Sequence, residues 1–120
     1  MPEFKALDES KVFIRERSIF RIKPANDGDS SQGTIIDYVG GMQKTKMAIS
    51  EVLSLFQSQD DFVQFSRTDN SDVWINRNSV SFIRPSLPHN QPETEFFVGG
   101  QRQIVKDDYE VVIQKLGLVD

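Results

Sequence analysis

The 120-residue chain contains no cysteine and one histidine, His89. The first absence excludes a disulfide scaffold, a Cys-ligated zinc or iron-sulfur site, and thiol nucleophilic catalysis. The second means that an ordinary Ser-His-Asp triad would have to be built around His89. Basic excess is also missing: 14 Lys and Arg stand against 18 Asp and Glu, for a net charge of -4. A uniformly basic nucleic-acid binder is thereby excluded, though a locally basic face is not. Apolar runs are only a few residues long, far short of the roughly 20 that span a bilayer. The first residues carry Glu3 and Asp8 instead of a basic stretch followed by an apolar core, so a cytoplasmic protein without a membrane partner is expected.

What the sequence does have is self-similarity. Lys11 to Pro24 (KVFIRERSIFRIKP) aligns without gaps on Asp72 to Pro85 (DVWINRNSVSFIRP), with 5 of 14 positions identical. Tyr38 to Gly41 (YVGG) then matches Phe97 to Gly100 (FVGG), and Glu51-Val52 matches Glu110-Val111. The spacing is 61 residues before the variable loop and 59 after it. A single domain over 1–120 is expected, made of two units at about 4–60 and 61–117. Each unit of that size buries only about 60% of its unfolded surface, which favours one shared core.

Within each unit the β-branched and aromatic residues predict strands at Phe4 to Leu7, Val12 to Ile14 and Ile19 to Ile22. Their counterparts are Phe62 to Phe65, Val73 to Ile75 and Val80 to Ile83. The i, i+3 isoleucine spacing departs from alternation and predicts a bulge or a turn, and Pro24 and Pro85 close the strands. After polar loops, hairpins should turn at Gly40-Gly41 and Gly99-Gly100. Ile49, Val52, Leu53 and Phe56, then Tyr109, Val112, Ile113 and Leu116, mark one face of a short helix in each unit. Asp107 and Glu110 have capping-box spacing, and Gly117 suits the position after the second helix. The expected class is α+β: a β-rich domain of two pseudo-symmetric strand-rich repeats, barrel-like or sandwich-like, each ending in a short helix. Trp74 aligns with Phe13, which predicts a shared buried position.

No constellation points to catalysis, a metal or a cofactor. Asp27, Asp29 and Asp37 lack the longer ligand series of a calcium loop, and the paired glycines lack a phosphate-binding fingerprint. Acidic residues near Asp107 suit a helix N-terminus. A non-enzyme is expected. The one concentrated charge feature is Lys11 to Lys23, where Lys11, Arg15, Arg17, Arg21 and Lys23 are opposed only by Glu16. Arg15, Arg17, Arg21 and Lys23, helped by Lys44, Arg77 and Arg84, form a candidate set of phosphate contacts. Phe20 is the candidate stacking residue, because it aligns with Ser81 and so is not required by a repeated core. The rival expectation is a protein-binding adaptor or homodimer. It predicts an open strand edge or a larger apolar patch, whereas ion-paired or dispersed arginines would remove the RNA face.

The second unit, VWINRNSVSFIRP followed by TEFFVGG and a Glu-Val helix, is similar to a small bacterial strand-helix family associated with flagellar operons. Over its whole length, cysteine-free and with paired halves, the chain more closely resembles the enterococcal PrgU family. That resemblance implies a PUA-like fold and an RNA-binding regulator. Its role would be to limit expression of pheromone-induced conjugation or surface-adhesin genes carried on a plasmid.

Overall fold

The computed structural model describes residues 3–6, 8, 10–25, 33–68, 71–85 and 93–117. Its first half contains β1 (Glu3–Lys5), β2 (Lys11–Phe13), β3 (Ile19–Pro24), β4 (Thr34–Tyr38), β5 (Gly41–Thr45) and α1 (Ile49–Ser54). The second half contains β6 (Phe62–Ser66), β7 (Asp72–Asn76), β8 (Val80–Pro85), β9 (Thr94–Val98), β10 (Gln101–Val105) and α2 (Tyr109–Lys115). A single 3-10 turn precedes β3 (Glu16–Ser18), β6 (Gln59–Asp61) and β8 (Arg77–Ser79). The class is β-rich α+β with two short helices. The expected barrel does not form among the described residues. The strands make three open sheets, in the orders β1-β2, β10-β9-β8 and β5-β4-β3-β7-β6.

Local chemistry explains the elements. Both β3 and β8 break register with their hairpin partner two residues in, between Ile19 and Arg21 and between Val80 and Phe82, so of the bulge or turn expected from the isoleucine spacing the strands take a break in register. The second hairpin turns on Gly99 (φ +58) and Gly100 (φ +82), a left-handed pair open to glycine at little cost. The first turns one residue earlier than expected, on Val39-Gly40, because Tyr38 pairs with Gly41 in the ladder. Matching hydrogen bonds therefore recur 60 residues apart beyond the loop: Thr34 Oγ1 donates to Met47 O, and Thr94 Oγ1 to Asp107 O. The helix after β10 starts from Asp108, whose carboxylate accepts from Tyr109 N. Asp107 instead accepts from Ser66 N and pairs with Lys115, tying α2 to β6, so it is not the capping residue expected from its spacing. Gly117 follows α2 with φ +72, as its position suggested.

The buried apolar side chains among the described residues form two clusters, each drawing on both halves. Phe4, Ile14, Ile19, Ile22, Ile36 and Val52 anchor the first, joined by Phe62 and Trp74 from the other half. Phe65, Val73, Phe96, Val98, Val105 and Val112 anchor the second, joined by Phe20 from the first half. The halves also share one ladder, β3 against β7, pairing Arg21 with Ile75 and Ile22 with Trp74. Asn76 extends this junction by donating from Nδ2 to Ile19 O at 3.0 Å. Trp74 is half-buried there, but Phe13 is 59% exposed, so the shared buried position expected for the pair is occupied by Trp74 alone.

Candidate interaction surface

Two surfaces compete as functional sites: the basic segment and the outer edge of β8. The bulge in β3 interrupts strand alternation, and consecutive residues Ile19 to Ile22 are all buried. Arg21 consequently points into the junction between halves. Its Nε donates to Asp37 Oδ2 at 2.7 Å, while its other nitrogens donate to Gln103 Oε1 at 2.9 Å and Gln101 Oε1 at 2.5 Å. Phe20 is 1% exposed and lies against the Gly99 turn, where a Cβ would come within 2.2 Å of its ring. Both residues hold the fold together, which corrects their assignment to an RNA face. Ser81 aligns with Phe20 because the aromatic serves this junction rather than a core common to both halves.

The remaining basic candidates are dispersed. Lys23 stands 3.7 Å from Asp37, and burial pushes its ammonium below the ordinary lysine range, with Arg21 adding repulsion and Asp37 offsetting part of it. Arg77 pairs with Asp61 at 2.9 Å. Arg84 donates to Glu95 at 2.6 Å, and Arg102 binds the other Glu95 oxygen. The Arg84 hydrogen bond, opposed by desolvation and reinforced by Arg102, holds the Glu95 carboxyl below the usual carboxylate range. Lys44 is half-buried on β5.

Arg15 and Arg17 differ: both are exposed, and neither has an ion-pair partner among the described residues. They line a cleft of about 770 Å³ with Asn76 and Asn78. Glu3, Glu16 and Asp61 line it too, so the charged groups around it carry no positive excess. The asparagines already have partners. Asn76 accepts from Asn78 N at 3.0 Å, and Asn78 Nδ2 donates to Asp61 at 3.1 Å. Asn70, Asn90, Asp27, Asp29 and His89 lie outside the described residues.

The second surface has no place in the basic-patch reading. β8 pairs with β9 on one side, and no described strand pairs with its other side. Phe82 (46% exposed) and Phe97 (37% exposed) meet there edge to face at 5.8 Å between ring centroids. They occupy the cross-strand position that Arg21 and Asp37 hold in the first half, so an aromatic pair replaces a buried ion pair. The general signal was legible in the sequence, since Phe82 aligns with Arg21. Its exposure was not, because that depends on which strand edge receives a partner. Among the described residues, no buried polar side-chain atom lacks a hydrogen bond, no acidic or histidine cluster is set to hold a metal, and no helix is long and apolar enough to cross a membrane. Comparison with protein-family models, curated proteins and solved structures finds no match for this chain.

Proposed function

We propose that this protein is a non-catalytic interaction module, built from two copies of one strand-helix unit, that works by adding a protein partner to an open strand edge. The observation that carries this reading is the side of β8 that no described strand pairs, with the exposed Phe82–Phe97 pair. An unprotected edge with adjoining aromatics offers both ladder hydrogen bonds and apolar area to another chain. The resemblance to the PrgU family supports a regulatory setting in the cytoplasm, in which such contacts restrain plasmid-encoded adhesin or conjugation genes.

A second reading is RNA binding on a PUA-like scaffold. Exposed Arg15 and Arg17 favour it, since guanidinium groups with no carboxylate partner among the described residues are available to phosphates. A photoreactive phenylalanine analogue placed at Ser81, or separately at Arg17, distinguishes the two in living cells. The edge reading expects a protein adduct from position 81; its absence contradicts that reading. An RNA adduct from position 17, lost when Arg15 is also replaced by alanine, would establish the second.

A further inference from the structure

The β3–β7 ladder joins unlike edges: the outgoing strand of the first half meets the second strand of the other half. Moving each partner by the 61-residue spacing exchanges β3 for β8 and β7 for β2. Among the described residues there is no equivalent β8–β2 ladder: β8 pairs with β9 and β2 with β1. A head-to-tail contact made once leaves one edge of each kind unfilled. Resting on the edge-interaction reading, we infer that the partner is a second copy of this chain. Its β2 joins β8 with Phe82 opposite Ile14 and Ile83 opposite Phe13.

Three differences from the internal junction, in exposure, size and charge, support this occupant. At the internal junction Trp74 is half-buried, whereas its counterpart Phe13 is 59% exposed and awaits the same cover. Large Phe20 there packs on Gly99, where even a Cβ would collide with the ring. Between copies the sizes reverse: small Ser81 meets Val39, which is 69% exposed on the counterpart turn. The third difference concerns charge. Arg21, paired with Asp37, reaches Gln101 and Gln103 across the internal junction. Phe82, stacked with Phe97, instead faces Gly41 and Gln43 of the second copy, where the Tyr38 ring packs over Gly41 and offers an apolar neighbour in place of the glutamine that Arg21 meets. Arg15 replaces Asn76 and supplies the donor for Val80 O that Asn76 supplies for Ile19 O. The contact is heterologous, so copies add in one direction until rotation closes a ring or leaves a filament.

Light scattering coupled to gel filtration tests this directly, using Phe82→Asp to spoil the β8 edge and Phe13→Asp to spoil the β2 edge. The wild type is expected to run as an assembly and each variant as a monomer. Mixed one to one, the variants should form a dimer near twice the 13.7 kDa chain mass through their two intact edges. Val39→Glu, on an exposed turn, replaces Phe13→Asp should circular dichroism show that variant unfolded. A monomeric wild type overturns self-assembly. So does a variant that alone remains dimeric, since that indicates a contact between like edges. If the wild type is monomeric while Ser81 crosslinks to a chain of different mass, the edge reading stands and only self-assembly fails; with no adduct, both fail.

Discussion

Replacing Arg21 with alanine is expected to destabilise the fold by about 3 kcal/mol or more, the range for breaking a buried ion pair by removing one partner. The Arg21 and Asp37 side chains are 8% and 6% exposed, so little water is available to compensate Asp37. Lys23, at 3.7 Å, keeps part of the carboxylate's pairing and places the loss toward the lower end of that range. Gln103, itself buried, also loses the guanidinium that its Oε1 accepts from. Substituting both charges at once, Arg21→Phe with Asp37→Phe, copies the Phe82–Phe97 arrangement and should cost much less than the two single losses combined. Urea denaturation of the wild type, Arg21→Phe, Asp37→Phe and the double variant measures the coupling. A change within about 0.5 kcal/mol for Arg21→Ala, the usual range of surface substitutions, would return this residue to the solvent-facing role that its sequence suggested.

The second large effect concerns Phe20. As a ring offered to RNA it would be dispensable to folding, but as a junction residue it is not. Phe20→Ala should cost about 3 to 5 kcal/mol, combining lost transfer energy with a cavity beside Phe65, Phe96 and Val98. Gly99→Ala attacks the same contact from the other side. It adds a methyl where the Phe20 ring already lies within 2.2 Å and forces alanine to φ +58. Thermal unfolding followed by circular dichroism should show both variants melting well below the wild type. An unchanged melting temperature for Phe20→Ala would contradict its burial.

These two residues also show what the sequence could and could not reveal. The order of strands, the bulge and the helix faces were legible because they depend on near neighbours: isoleucine spacing, prolines at strand ends, and apolar residues three and four apart. The first hairpin was misplaced by one residue because glycine pairs align at 59, while the hydrogen bonds repeat at 60. Phe20 and Arg21 were misread for a different reason. Their environment comes from the other half of the chain, through β7, the Gly99 turn and the β10 glutamines. A basic run identifies charged side chains but does not tell which will be covered by a distant strand. Arg15 and Arg17 remain exposed because the first precedes and the second lies within the 3-10 turn before β3, and neither enters the junction.

The same contrast organises the outer surface. β3 has a strand on both sides and buries its first four residues; β8 has one partner among the described strands and exposes Ser81, Phe82, Arg84 and Pro85. Two strands of closely related sequence thus differ mainly in whether an acceptor edge has arrived. In the proposed assembly a second chain supplies that edge in the geometry of the internal junction.

Cysteine crosslinking between chains measures this most directly, because the native sequence contains no cysteine to compete. Ser81→Cys and Val39→Cys place one thiol on each side of the counterpart of the Phe20–Gly99 contact. Mild oxidation of the mixed variants should yield a disulfide-linked heterodimer in clear excess over either homodimer. Equal random crosslinking, or no crosslinking while both variants remain folded, would contradict the head-to-tail edge.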